Sequence, residues 1–428
     1  MLSSRALMMN GSNGNGLHLH NGNGNGFYLD EDFEDPETYD LKGGPGYEVD
    51  IFEMQGVARE IHARGYQTLW LDQRGTGLST PICPDVLSSK SDVDICEYVK
   101  HFRADNIVRD CEMIRWILLG DRPNPTDRKW TIMGQSFGGF CSITYLSFYP
   151  FALKEVFLAG GLAPLIYNPD PAYRRLFPRI IKRNIIYYKK YPKDIRRVGA
   201  IGFYSLVFVD DLLPNGGNLT PRRFQQLGLD FGFSGGIDRV HQIVFRAAND
   251  LKLFGQLSYK LLQSIQNATA LDGNPLYMLF QETLYCNGRA SNWSAERLLE
   301  DYPEFDWDII KLKPDSEPLF FLGEMVLRHM FDDYAGLRPF KGAAEILAQK
   351  TDWPPLFNLK QLMKNEVPVS AMTFLDDMYI DFDLSQDTTE RINNVEQCIT
   401  NQLFHNAIIH DPKTLMSNLF ELSKRLVD

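Results

Sequence analysis

The stretch from Trp130 to Gly139 reads WTIMGQSFGG, and its pattern is the strongest fold signal in the chain. Its first four residues are mostly apolar and predict a buried strand, and the residues that follow predict a tight turn leading into a helix. Gly134, Ser136 and Gly138 form a G-x-S-x-G pattern, which needs small residues two positions either side of the serine because backbone segments meet closely there. Such a turn would expose the Ser136 hydroxyl and aim the backbone N–H of Phe137 at a developing oxyanion. The pattern therefore predicts a nucleophilic serine.

Strands and helices alternate on both sides of this turn. Residues 66–71 form a short apolar run, and residues 104–119 carry apolar side chains at helical spacing. Further strands are expected at residues 156–159, 367–375 and 397–401. Because strands that alternate with helices form parallel sheets covered on both faces, the sequence predicts an α/β fold with a mostly parallel sheet flanked by helices.

The alternation stops between residues 165 and 335, where segments such as 179–191 and 240–265 read as helices. We therefore expect an inserted helical cap, and the chain divides into a disordered low-complexity and acidic tail at 1–36, a first core part at 37–164, the cap at 165–335 and a second core part at 336–428. The tail is rich in Gly and Asn, a composition that buries too little apolar surface to fold. His18 and His20 lie in it without Cys or carboxylate neighbours, so a flexible tail is expected there and not a metal site.

Two further motifs precede the serine. Residues 43–46 read GGPG, which lets backbone N–H groups approach a substrate oxygen, and residues 72–79 read DQRGTGLS. In this order, GGPG, DQRGxGxS and GQSxGG, the motifs are similar to those of the proline iminopeptidase family of α/β-hydrolases. The resemblance runs from about Leu41 to the C-terminus and favours the fungal and actinobacterial type through five segments: Phe231–Gly236, Glu282–Cys286, Trp293–Glu296, Gly323–Met325 and Asp376–Tyr379.

The resemblance implies an α/β-hydrolase fold and a serine aminopeptidase that releases an N-terminal residue, proline being the expected one. Its partner would be a peptide or a small molecule with a free N-terminal amine, and no metal or organic cofactor is expected. The oxyanion would be bound by the backbone N–H groups of Phe137 and of Gly43 and Gly44. Family members use glutamates of the cap to bind the amine, which implies Glu282 first and Glu324 second. A buried or surface ion pair is an equally good interpretation of either glutamate.

The acid that orients the histidine should follow a late strand, because the order along the chain in this fold is serine, acid, histidine. The apolar run at 367–375 is followed directly by Asp376 and Asp377. The resemblance, counted from the proline that leads this strand, implies Asp377 as the catalytic carboxylate. Asp376 is the alternative and Asp381 a weaker one.

Two histidines follow the acid, His405 and His410. The family pattern Thr-Asn-x-x-x-His matches Thr400, Asn401 and His405, which makes His405 the predicted base. His410 precedes an Asp-Pro pair, where a turn or a helix cap is the expected role. The histidines earlier in the folded part are expected to be structural: His62, His101, His241 and His329.

Composition excludes some classes of function. The net charge of −11 argues against nucleic-acid binding, which usually needs clustered Lys and Arg. No apolar run is long enough to cross a bilayer, and the first residues do not resemble a secretory signal, so a cytoplasmic location is expected. The six cysteines include no C-x-x-C pair and read as reduced thiols. Oligomeric state is not predicted.

The residues before the GGPG motif depart from the family pattern. Glu37 to Lys42 contain few apolar residues and do not predict a buried strand, and Lys42 stands where the family has histidine or glutamine. The usual N-terminal strands are therefore expected to be missing, which would leave an exposed sheet edge. Two alternatives to the aminopeptidase stay open: an esterase or lactonase of specialised metabolism, and a catalytically inactive relic left by the loss of these strands.

Overall fold

The structure, a computed structural model, describes the backbone of residues 17–20, 26–29 and 38–41 and the chain at 44–87, 89–207, 213–314 and 316–424. Its centre is an eight-stranded sheet with the order β1-β2-β4-β3-β5-β6-β7-β8. The strands are β1 Leu17–His20, β2 Gly26–Leu29, β3 Thr38–Leu41, β4 Thr68–Leu71, β5 Trp130–Gln135, β6 Leu153–Ala159, β7 Val369–Phe374 and β8 Val395–Thr400. Strands β3 to β8 pair in parallel, whereas β2 is antiparallel to both β1 and β4.

Nineteen α-helices are described. They are α1 Ile51–His62, α2 Pro84–Leu87, α3 Asp92–Val99, α4 Ala104–Leu119, α5 Phe137–Phe148, α6 Asp170–Lys190, α7 Asp194–Val207, α8 Pro221–Gln225, α9 Gly236–Phe254, α10 Tyr259–Ala268, α11 Pro275–Phe280, α12 Ser294–Leu299, α13 Trp307–Ile310, α14 Met330–Asp333, α15 Lys341–Gln349, α16 Leu359–Leu362, α17 Phe382–Arg391, α18 Ala407–His410 and α19 Pro412–Leu422. Short 3-10 helices occupy Lys100–Phe102, Pro125–Arg128, Pro150–Ala152, Gln226–Gly232, Thr283–Tyr285, Pro303–Phe305 and Ala335–Phe340.

Both faces of the sheet are covered by helices. On one face, Ile132 of β5 packs in a cluster with α4 and α5, and on the other face its neighbour Met133 packs with α1 and α19. All six residues of β7 are buried. A strand buried on both faces loses the polar alternation of an exposed strand, which explains why these strands read as continuous apolar runs.

The cap has a hydrophobic cluster of its own, built largely from aromatic side chains. Tyr187 packs against Phe231 and Phe321 at ring-centroid distances of 5.0 and 5.5 Å. The cluster also takes in residues from outside the predicted cap, including Val99 of α3 and Ala343 of α15. The boundaries 165 and 335 remain a prediction.

Most predicted elements lie where the sequence placed them. Helix α4 spans the predicted residues 104–119, and β4 to β8 each overlap a predicted strand. The predicted helical segment 240–265 is divided between α9 and α10. Helix α9 ends at Gly255, whose φ of 67° is the left-handed conformation that glycine adopts most easily at a helix C-terminus.

The prediction that the sheet lacks its N-terminal strands was wrong. Thr38–Leu41 forms β3, which lies between β4 and β5 and pairs in parallel with both. Strand propensity is weaker than tertiary context, and a segment that gains ladder hydrogen bonds on both sides does not need an apolar sequence of its own. Within the tail at 1–36, β1 and β2 are described, and the remaining residues of the predicted disordered segment lie outside the described part.

Candidate active site

Ser136 lies in a strained turn between β5 and α5. Its backbone has φ 52° and ψ −117°, a combination that non-glycine residues rarely adopt and that costs free energy. The turn is tight because the two sides approach closely: a Cβ added to Gly134 would lie 2.5 Å from the carbonyl oxygen of Gly138. The backbone thus requires a small residue at position 134, as the G-x-S-x-G pattern predicts.

Helix α5 begins immediately after the serine. Phe137 is its first residue, so the Phe137 N–H has no acceptor within the helix and is available to an oxyanion. The helix is also held close to the loop after β6, since a Cβ on Gly139 would lie 1.9 Å from the carbonyl oxygen of Gly161. This contact fixes the start of α5 relative to the neighbouring strand.

His405 and Asp377 form a buried pair near the ends of β7 and β8. The His405 Nδ1 lies 2.8 Å from Asp377 Oδ2, and the two residues are 5% and 3% exposed. The other oxygen of Asp377 accepts hydrogen bonds from the backbone N–H groups of Tyr379 and Ile380, at 2.8 and 3.1 Å. The carboxylate is therefore fixed in position by the backbone and can hold the imidazole in one orientation.

The charge of Asp377 controls the protonation of His405. Burial alone would lower the pKa of His405, but the attraction and hydrogen bond of Asp377, helped by the Glu324 carboxylate, raise that pKa above its ordinary value. An imidazole with a raised pKa is a stronger base, which suits a group that takes a proton from a serine hydroxyl.

Three contacts bring His405 to the end of the sheet at which Ser136 lies. The side-chain amide of Gln135, the residue before the serine, donates to the His405 carbonyl oxygen at 3.3 Å. The Ser136 N–H donates to the Ala159 carbonyl oxygen at 3.3 Å. The next residue is Gly160, where an added Cβ would lie 3.3 Å from His405 Nδ1. Ser136, after β5, and His405, after β8, thus lie at the same end of the sheet, with β6 and β7 between their strands.

The alternative acids and base have other partners. Asp376 forms an ion pair with Lys182 at 2.7 Å. Asp381 accepts from the Leu384 N–H at the start of α17 and pairs with Arg179. His410 is the last residue of α18, and its Nε2 lies 3.0 Å from the Ser234 hydroxyl oxygen. Of the candidates from the sequence, Asp377 and His405 are the two that the structure pairs with each other.

The GGPG loop lies beside the turn at the end of β4. Gly44 has a φ of 77° and Gly46 a φ of 83°, so both need the conformational freedom of glycine, whereas Gly43 lies outside the described residues. Asp72 fixes the chain just after this loop, because its two oxygens accept from the N–H groups of Val49 and Leu78, each at 2.9 Å. Sequence reasoning assigned no role to Asp72, although it opens the DQRG motif.

Glu282 is buried in the cap and caps helix α12. Its two oxygens accept from the backbone N–H groups of Ser294 and Ala295, at 3.1 and 2.8 Å. Burial raises the pKa of Glu282 to about 6, against the lowering effect of these hydrogen bonds. Both carboxylate oxygens are therefore engaged with the protein.

Glu324 lies closer to the Asp377–His405 pair. Its charge acts on His405, the charges of His405 and Asp377 act on Glu324, and burial raises the pKa of the Glu324 carboxyl group above the ordinary value. The Tyr277 hydroxyl donates to Glu324 Oε1 at 2.7 Å. The tyrosines within electrostatic reach of Glu324 come from five different segments of the chain: Tyr47, Tyr173, Tyr277, Tyr285 and Tyr379. The sequence assigned a role to none of these tyrosines.

The described part of the chain contains no group of three or more His, Cys, Asp or Glu side chains arranged to hold a metal ion. Among the described residues, no helix is both long enough and apolar enough to span a lipid bilayer.

A strained serine between a buried strand and a helix, next to a buried Asp–His pair, defines a serine hydrolase of the α/β-hydrolase class. A family model for the alpha/beta hydrolase fold matches residues 41–197. Over 93% of its length the chain is 39% identical to proline iminopeptidase aneH of Aspergillus aculeatus, of which the match covers 87%. A proline iminopeptidase of Aeromonas sobria is 36% identical, with 92% of this chain and 88% of that protein covered. The chain belongs to the proline iminopeptidase family.

Proposed function

We propose that this enzyme is a serine aminopeptidase that releases an N-terminal residue, proline in preference, from peptides. Ser136 is the nucleophile, His405 the base and Asp377 the acid that orients it. The observation that carries the proposal is the 2.8 Å hydrogen bond between Asp377 and His405, formed beside the strained turn of Ser136. Family membership supports the aminopeptidase reaction, and the names of the two relatives support proline as the released residue.

The reaction proceeds by acyl transfer. His405 Nε2 takes the proton of the Ser136 hydroxyl as its oxygen bonds to the carbonyl carbon of the first residue, while Asp377 holds the Nδ1–H and stabilises the imidazolium. The oxyanion accepts from the Phe137 N–H and from the GGPG loop at Gly43 and Gly44. The C–N bond then breaks, and the leaving amine receives the proton from His405. Water, activated by the same histidine, hydrolyses the acyl-enzyme and releases the amino acid.

Selectivity for a free N-terminus comes from carboxylates of the cap. We assign the substrate ammonium to Glu324, because its charge reaches the Asp377–His405 pair, and we retain Glu282 as a second source of negative charge. Tyr173 lies within electrostatic reach of both glutamates. A cation placed among buried carboxylates gains more from them than it would in water, so a peptide with a blocked N-terminus would bind poorly.

A variant of Ser136 tests the proposal. Ser136→Ala should abolish release of proline from prolyl-naphthylamide and should not react with a fluorophosphonate probe. Ser147→Ala is a matched control, because Ser147 is also a buried serine of α5 and donates to the Ile143 carbonyl oxygen at 2.8 Å. Wild-type turnover in Ser136→Ala would remove the serine from the mechanism.

We also propose that the enzyme works in the cytoplasm. All six cysteines are free thiols, which suits a reducing compartment.

The alternative of an inactive relic depended on the loss of the N-terminal strands. Strand β3 is present in the sheet, between β4 and β5, which argues against this alternative.

A further inference from the structure

Helix α11 of the cap packs directly on the two loops beside the serine. A Cβ added to Gly46 would lie 2.6 Å from Leu276 Cβ, and one added to Gly75 would lie 2.6 Å from Leu276 Cδ1. Both glycines have positive φ values, which glycine adopts easily, and their lack of a side chain leaves room for this leucine. The first turn of α11 is thus in close contact with the GGPG loop and with the DQRG turn.

The next residue of α11, Tyr277, makes contacts in two directions. Its ring meets the ring of Tyr47 edge to face, at a centroid distance of 5.4 Å, and Tyr47 follows the GGPG loop directly. Its hydroxyl donates to Glu324 Oε1 at 2.7 Å. Tyr277 is 6% exposed, so both contacts lie in the interior. One side chain therefore joins the residue next to the oxyanion loop to the carboxylate assigned to the substrate amine.

We propose that Tyr277 is a positioning residue that holds Glu324 in place for the substrate ammonium and couples it, through Tyr47, to the oxyanion loop. This inference rests on the proposed function and names a residue that determines its specificity. The hydroxyl orients Glu324 and stabilises its ionised form, because a hydrogen bond to a buried carboxylate favours the charge. The ring supports the loop through packing, which is a separate contribution.

The contribution of the Tyr277 hydroxyl predicts a change in the pH dependence of the reaction. Burial raises the pKa of Glu324, and the Tyr277 hydrogen bond opposes that rise, so removing the hydroxyl should raise the pKa further. The other groups that act on Glu324 are His405, Asp377 and Gln281, and the other tyrosines around it are Tyr47, Tyr173, Tyr285 and Tyr379. A higher pKa means that Glu324 loses its charge at a higher pH as the solution is acidified. The acidic limb of the pH profile should therefore move upward.

Tyr277→Phe removes the hydroxyl and keeps the ring. We expect kcat/KM for prolyl-naphthylamide to fall about tenfold at pH 7 and the acidic limb of its pH profile to rise by about one pH unit. Turnover of a neutral ester, p-nitrophenyl acetate, should change by less than about twofold. Tyr187→Phe is the matched control, because Tyr187 is also buried in the cap and its hydroxyl donates to a carboxylate, that of Asp194, at 2.6 Å. Loss of the Tyr187 hydroxyl should leave the pH profile unchanged.

Tyr277→Leu removes the ring as well. If the ring supports the oxyanion loop, kcat should fall about tenfold for both the amine and the ester substrate, with folding checked by circular dichroism. A Tyr277→Phe profile that coincides with that of wild type, or a Tyr277→Leu variant with wild-type ester turnover, overturns the inference. A wild-type enzyme that does not discriminate between amine and neutral substrates would instead refute the proposed function, and the inference with it.

Discussion

The core and the cap differ in what fixes their functional groups. In the core, the backbone does so: the strained turn presents Ser136, and two backbone N–H groups hold Asp377. In the cap, a side chain holds Glu324, through the hydroxyl of Tyr277. Backbone geometry is maintained by the hydrogen bonds of the whole sheet and resists single substitutions. A side-chain contact can be lost through a single substitution. Changes in the core should therefore affect the chemistry of all substrates, whereas changes to Glu324 or to its hydrogen bond in the cap should affect the choice among substrates.

The largest effect is expected from Asp377→Asn in the core. An amide in place of the carboxylate no longer stabilises the imidazolium and favours the wrong tautomer of His405, so kcat should fall about 10⁴-fold, a size known for such a change in other serine hydrolases. Steady-state kinetics with prolyl-naphthylamide as the substrate measures this fall in kcat. Asp376→Asn is the control, because that neighbour pairs with Lys182 at the surface, and it should keep nearly full activity. A similar loss in both variants would refute the assignment of the acid.

Glu324→Gln comes next and concerns the cap. Neutralising the buried carboxylate that we assign to the substrate ammonium should lower kcat/KM for prolyl-naphthylamide about 10²-fold and leave turnover of p-nitrophenyl acetate within about threefold of wild type. The ratio of the two rates is the measurement. Glu282→Gln should lower the ratio less and destabilise the fold, since both Glu282 oxygens cap α12. Equal losses on the two substrates would mean that Glu324 acts on the chemistry and not on selectivity.

Gly139→Ala tests the close packing of the core. Its Cβ would lie 1.9 Å from the Gly161 carbonyl oxygen, which is backbone and cannot rotate away. The change should destabilise the fold by about 2–3 kcal/mol and lower the melting temperature by several degrees. Gly273→Ala is the control, because no atom lies within 4 Å of its added Cβ. An unchanged melting temperature in Gly139→Ala would show that α5 is not held against the loop after β6.

The smallest effect is expected at His329 in the cap. Burial lowers the pKa of His329 to about 3, and neither ring nitrogen has a hydrogen-bond partner among the described residues. The unfolded chain binds this proton below pH 6.5 and the folded chain does not, so the native state loses stability as the pH falls from about 6.5 toward 3.

His329→Leu should remove this pH-dependent loss. The variant should be more stable than wild type at pH 7 by about 1 kcal/mol, and the gap in melting temperature should widen between pH 7 and pH 5. His101→Leu, at an exposed histidine, should show no such widening. A constant gap for His329→Leu would mean that His329 already carries its proton in the folded state.

The sequence carries a clearer signal for the proposed site in the core than in the cap. Gly134, Ser136 and Phe137 are consecutive or nearly so, and their arrangement follows from one tight turn, which a local pattern records. Tyr277 carries no local signal, because its role depends on Tyr47 and Glu324, which are 230 and 47 residues away along the chain. The strand β3 was missed for a related reason: its hydrogen bonds come from β4 and β5, and its own residues do not indicate burial.

Taken alone, the sequence determined the alternation of strands and helices and the tight turn at Ser136, because apolar periodicity and glycine placement act over a few residues. The tertiary structure decided that Asp377 and not Asp376 meets His405, that Thr38–Leu41 completes the sheet, and that Tyr277 holds Glu324. These contacts join residues far apart in the chain, and only the packing of sheet and cap brings such residues together.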